Sequence, residues 1–151
     1  MAHRPILNDK QRNTLLSIPT REHELLQYYV LSNEDLFHIN TKRKASNRLG
    51  FALQLCAFRY PGRLLQKKEI IPLPTLMFLA AQLGISEDEL GTYGIRSETR
   101  YEHSSELQRI YGFRIFQEAD EKTFLNWLMQ QAIETRNNAE LADLFVLECR
   151  K

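Results

Sequence analysis

The chain has 151 residues, with 43% hydrophobic and 26% charged residues, a balance that fits a soluble globular chain and excludes disorder as its dominant state. There is no apolar run long enough to span a bilayer, and Met1-Ala2-His3-Arg4-Pro5 lacks an apolar signal core, so the expected compartment is the cytoplasm. The net charge of +1 conceals a strong segregation: Thr41 to Lys68 holds eight basic residues and no acid, whereas Ser86 to Glu106 holds six acids and two arginines. A cationic block of this density implies either an anionic partner, most commonly nucleic acid, or acids folded against it.

In chain order, Asn8 to Ser17 reads as a short helix stopped by Pro19, with Thr20 as the cap of the next helix, which carries Leu25, Leu26, Tyr29 and Val30. Ser32 and Asp35 form a capping box that opens a helix with Leu36 and Ile39 on one face. Lys44 to Tyr60 is a longer helix closed by Pro61-Gly62, and Gly62 to Pro74 is a connector. Helices are then expected over Thr75 to Leu83, after a second capping box at Ser86 and Glu89, over Ser97 to Tyr111, from about Ala119 to Thr135, and over Asn138 to Arg150. No segment alternates with a two-residue period, so the fold is expected to be all-α.

A repeat at an offset of 54 residues aligns Leu31-Ser32-Asn33-Glu34-Asp35-Leu36 with Ile85-Ser86-Glu87-Asp88-Glu89-Leu90, Ile39 with Tyr93, Asn40 with Gly94 and Lys42 with Arg96. In each copy a capped helix is followed by a turn and a helix with basic residues at its start, which is the helix-turn-helix arrangement. The expected organisation is therefore two helix-turn-helix-like units, 1–70 and 71–116, and a C-terminal helical pair, 117–151, packing on them through Phe124, Trp127, Leu128, Leu141, Leu144 and Phe145.

Stepping round Lys44 to Arg59 at 100° per residue puts Leu49, Ala52, Leu53, Cys56 and Tyr60 on one face and Arg43, Asn47, Gly50 and Gln54 on the other. Asn47 and Gln54 are side chains able to pair with adenine, Arg43 or Arg48 could address guanine or phosphate, and Gly50 would admit a close backbone approach; the structural alternative is that Asn47 solvates the first turn and Gly50 serves helix packing. Lys42-Arg43-Lys44 sets three cations at the positive end of a helix dipole, which calls for a phosphate or for internal acids. Arg59, Arg63, Lys67 and Lys68 would extend backbone contacts, and Arg96 and Arg100 are the corresponding candidates in the second unit. Enzymatic readings lack support. The four histidines are scattered, no nucleotide-binding glycine string or nucleophile elbow is present, and Cys56 and Cys149 read as buried reduced thiols, so no catalytic residue, metal or cofactor is expected.

The string Asn47-Arg48-Leu49-Gly50-Phe51-Ala52-Leu53-Gln54-Leu55-Cys56 with Arg59-Tyr60-Pro61-Gly62 resembles the N-terminal region of the large TnpA-type transposases of the Tn-three family of replicative transposons. Leu31-Ser32, Glu34-Asp35-Leu36, Ala81-Gln82-Leu83-Gly84-Ile85, Glu98-Thr99-Arg100, Glu102-His103 and Tyr111-Gly112-Phe113-Arg114 continue the likeness along the whole chain. The resemblance implies sequence-specific binding of duplex DNA at transposon terminal inverted repeats, with the rest of a transposase chain as partner and no membrane. It places the metal-dependent acidic triad far downstream, so this chain is expected to be a non-enzymatic N-terminal fragment or truncated product. The alternatives are a helical protein-interaction module for transposase assembly and an autonomous repressor.

Overall fold

A computed structural model describes residues 7–94, 97–114, 116–134 and 137–149. Its helices are α1 (Asp9–Leu16), α2 (Glu22–Tyr28), α3 (Asn33–Asn40), α4 (Ala45–Arg59), α5 (Leu73–Leu83), a 3₁₀ turn (Glu87–Thr92), α6 (Ser97–Tyr111), α7 (Glu118–Glu134) and α8 (Asn138–Glu148), and no strand occurs among the described residues. The fold is all-α, as the periodicity indicates.

Helix starts follow local chemistry where the chain supplies it. Asn8 and Ser32 each form a reciprocal capping box, with Gln11 and Asp35 as the returning side chains. The second box is not formed. Ser86 accepts from the backbone N–H of Asp88 rather than of Glu89, and the segment closes as a 3₁₀ turn, because a run of six residues ending in Gly91-Thr92 offers too little length for an α-helix. The expected Thr20 cap is also replaced: the residue at the start of α2 is Arg21, whose side chain makes no capping bond. Gly84 ends α5 at φ 64° and ψ 34°, the left-handed conformation that glycine adopts without steric cost.

The chain divides into two compact units. One comprises its two ends, up to Ser17 and from Arg114; the other is Ile18–Phe113. In the end unit, α7 packs on α8 and α8 on α1, and Phe116, Phe124 and Phe145 form an aromatic cluster with centroids 5.3–6.4 Å apart. Its helices contain no fully buried residue.

The Ile18–Phe113 unit is built around α4. Every residue from Leu49 to Ala57 is buried, and α3, α5, the 3₁₀ turn and α6 all contact this helix. Leu49-Gly50-Phe51-Ala52-Leu53-Gln54-Leu55-Cys56-Ala57 carries no charge on any side, and a helix without a charged face is stable only when covered all round. Each fully buried leucine or phenylalanine contributes roughly 1.5–3 kcal/mol.

Long-range bonds cross the boundary expected at residue 70. Thr75 donates to the Pro19 carbonyl, the Gln82 amide bridges Tyr29 O and Leu31 N at 2.9 and 2.8 Å, and Tyr111 reaches Asp35 at 2.8 Å. Leu79, Ala80 and Leu107 belong to the same core cluster as Leu49 and Leu53.

Candidate nucleic-acid interface

The start of α4 has an electrostatic character unlike that of α1, α3 or α8. Lys44 occupies the N-cap position in extended conformation (φ −91°, ψ 141°), no side chain caps the helix, and no acid lies in the first turn. Asn8, Ser32 and Asn137 cap the other three, each with an acid in its first turn. Free N–H groups and the positive end of the dipole are therefore left open to an anion at α4.

Arg43 and Lys44 are exposed, and Asn47 and Arg48 are half-buried on the same turn. Arg43 and Lys44 make no ion pair among the described residues. The Arg48 Nε is buried and has no hydrogen-bond partner.

Three further cations of the basic block, Lys42, Arg59 and Arg63, have intramolecular duties, which corrects the expectation that Lys42 calls for a phosphate and that Arg59 and Arg63 extend backbone contacts. Lys42 bridges Glu106 of α6 and lies 4.6 Å over the Phe51 ring. Arg59 grips the buried Asp35 carboxylate with two bonds of 2.8 and 2.6 Å, and Arg63 grips Glu69 with bonds of 3.0 and 2.5 Å. In the second unit, Arg100 donates to the Leu65 carbonyl and so braces the loop after α4, while Arg96 lies outside the described residues. Lys67 and Lys68 stay exposed and make no ion pair among the described residues.

Gln54 is also relocated. Expected on an open face, it is only 3% exposed, and its Nε2 donates to the Tyr93 hydroxyl at 2.8 Å. That hydroxyl lies 3.0 Å from His103 Nδ1, to which it donates when the neutral ring carries its proton on Nε2. Burial first, and then the neighbouring Lys42 charge, hold the His103 pKa down at about 4, so the ring is neutral near pH 7. Gly50 serves packing rather than approach to a duplex: the Tyr93 ring occupies the space a Cβ would need. Tyr93, Glu106 and Asp35 all shape the site; Asp35 is signalled by its place in the Ser32 box and Glu106 by the acidic segment that could fold against the cations, whereas nothing in the sequence pointed to the contact of Tyr93 with Gly50 and Gln54.

Asp35 links the frame. It accepts from Arg59, from the Ser32 backbone N–H at 2.8 Å and from the Tyr111 hydroxyl. Burial pushes its pKa upward, but these hydrogen bonds, with Arg59 foremost, outweigh that and bring it to about 2.

Cys56 is buried and its thiol is pushed up to about 12 by desolvation, so it is inert at neutral pH. Cys149, expected to be buried, is exposed. Among the described residues no three His, Cys, Asp or Glu cluster as a metal site, and no helix is long and apolar enough to cross a membrane.

Fold and site together define an all-helical domain in which the start of α4 is uncapped, free of acids and flanked by exposed cations. The chain belongs to the family described as domain of unknown function DUF4158, whose pattern matches residues 6–151. Across its full length it is 37% identical to the transposase for transposon Tn3926 and 35% identical to the transposase for transposon Tn21, both of Escherichia coli. Over 94% of its length it is 35% identical to the transposase for transposon Tn501 of Pseudomonas aeruginosa. It spans only about 15% of the length of these relatives (14% for the third), matching the N-terminal region of Tn-three family transposases that its motifs resemble.

Proposed function

We propose that this chain is a DNA-binding module of a Tn-three family transposase, recognising the terminal inverted repeats of the transposon through the start of α4. The observation that carries this reading is the uncapped, acid-free first turn of α4 with Arg43 and Lys44 exposed and unpaired. Three other helices meet their dipoles with caps and acids; at α4 a phosphate supplies what the chain does not. Arg43 and Lys44 position the backbone. Asn47, on the same turn, is the side chain suited to read a base edge, and the half-buried Arg48 beside it is a further candidate for phosphate. Helices α3 and α4 with the turn 41–44 act as the helix-turn-helix-like pair, entering the groove by the tip of α4, because Leu49 to Ala57 is enclosed.

Fluorescence anisotropy tests this with an end-repeat duplex and a scrambled duplex over a salt series. The protein should prefer the end repeat and lose affinity steeply as salt rises. Lys44→Ala should weaken both duplexes alike and lower the salt slope by about 1, whereas Asn47→Ala should cut the preference by roughly 1–3 kcal/mol. Equal Asn47→Ala losses on the two duplexes would remove it from the reading set.

One observation favours a second reading, a helical assembly module between transposase chains. Leu125, Met129 and Ile133 recur every four residues on α7 and are 55%, 63% and 87% exposed, an apolar stripe suited to a protein partner. Binding that shows neither salt dependence nor preference would select it.

A further inference from the structure

We propose that the cleft lined by the loop 65–71 and the 3₁₀ turn is a docking site for a peptide segment of a protein partner, one that sets neighbouring apolar side chains between a carboxylate and a cation. None of the residues that carry the α4 reading takes part in it.

The cleft lies within the Ile18–Phe113 unit. Its volume of about 810 Å³ falls toward the upper end of the roughly 300–1,000 Å³ of ligand pockets. Leu53, Leu65, Ile71, Leu76 and Leu90 give it an apolar lining drawn from α4, the loop, α5 and the 3₁₀ turn. All but Leu53 are only half-buried, so an apolar group seated there takes them further from water. The frame is set before any partner arrives. Arg63 and the Gln66 backbone N–H both bond to Glu69, closing the loop on itself, and Arg100 of α6 donates to the Leu65 carbonyl.

Of the charged residues on the lining, Glu69 and Arg100 are thus occupied with this frame. Lys67 and Lys68 on the loop, and Glu87 and Asp88 on the 3₁₀ turn, make no ion pair among the described residues, although both pairs border the same cleft. Opposite charges left apart around an apolar lining suit an occupant that carries both signs. A nucleic-acid strand does not, because a phosphate that met Lys67 would share the cleft with two carboxylates. Lys68 also holds φ 63°, a left-handed conformation uncommon outside glycine. A cation is kept at the cleft where glycine would sit with less strain.

Gly91 supplies a selective block. It lines the cleft, its backbone is not left-handed, and a Cβ there meets nothing within 4 Å, so Gly91→Trp sets a bulky ring in the cleft without distorting the fold. A random heptapeptide phage library is selected on the whole chain and counter-selected on Gly91→Trp, and the recovered peptides are measured by fluorescence anisotropy. They should carry adjoining apolar residues flanked by an acid and a base, and bind the wild type but not Gly91→Trp. Lys67→Glu should weaken them about 5-fold, with circular dichroism and melting unchanged in both variants. Failure to recover a discriminating peptide overturns the proposal, as do peptides with charge of one sign only or peptides indifferent to Lys67→Glu. Displacement of the peptides by a thymidine oligonucleotide overturns it in favour of nucleic acid. Lys44→Ala should leave peptide binding intact, so the α4 reading stands or falls on its own salt series.

Discussion

Burying a carboxylate is costly unless every lone pair finds a donor. Asp35, at 1% exposure, meets that condition through Arg59, Ser32 N–H and Tyr111. Asp35→Asn leaves the Arg59 charge half-buried without its counterion and should destabilise the protein by about 3–5 kcal/mol, read from the urea midpoint at neutral pH. Gly50 sets two effects against each other. Alanine is the better helix former by about 1 kcal/mol, but its Cβ would overlap the Tyr93 ring, which the Gln54 and His103 hydrogen bonds hold in place. Overpacking of this kind costs about 1–3 kcal/mol and breaks the bonds as well, so Gly50→Ala should lower the melting temperature.

His103 makes stability depend on pH in a definite direction. Its pKa is about 4 in the folded chain against 6.5 unperturbed, so between these values the unfolded chain binds the extra proton. Stability is full above pH 6.5 and falls as the pH drops toward 4, by up to about 3 kcal/mol. Urea titrations at steps across this window should show that slope, and His103→Gln should flatten it. The Asp35 contribution is lost only below this range, as pH falls from 3.8 toward 2, so the two residues can be told apart.

Among the elements, the two serines aligned by the 54-residue repeat have unequal weight. Ser32 accepts from the Asp35 N–H at 3.1 Å and is answered by the Asp35 carboxylate, whereas Ser86 makes a single exposed bond of 3.3 Å at a 3₁₀ turn. Ser32→Ala should cost about 1 kcal/mol and Ser86→Ala distinctly less, in parallel denaturation curves. The repeat was legible because capping is local chemistry, set by residues three apart. Its second copy, a 3₁₀ turn, leads into Tyr93, which lies over Gly50 and bonds to Gln54, a tertiary placement that no short motif records. Helix limits were likewise legible: α6 spans the expected Ser97 to Tyr111, and α4 falls within one residue of Lys44 to Tyr60 at each end.

For the molecule as a whole, burial is concentrated in one unit. Helix α4 is enclosed along nine consecutive residues, while α1, α7 and α8 contain no fully buried residue. Native-state hydrogen exchange should therefore show the slowest amides in α4 and the fastest helical amides in α1, α7 and α8. Equal protection across all eight α-helices would contradict this distribution of core.

The amino-acid sequence by itself determined the helical class, most helix limits, the Ser32 box and the family. Each of these depends on residues within a turn or two of one another, or on strings long enough to compare. Only the tertiary structure decided which cations are free. Glu106, Asp35 and Glu69 reach Lys42, Arg59 and Arg63 across as many as 64 positions, and a charge is neutralised by the nearest opposite charge in space, whatever its distance along the chain. The same holds for Gln54: on a helix wheel it lies opposite the leucine stripe, and the arrival of Tyr93 and His103 on that side is what turns a surface position into core.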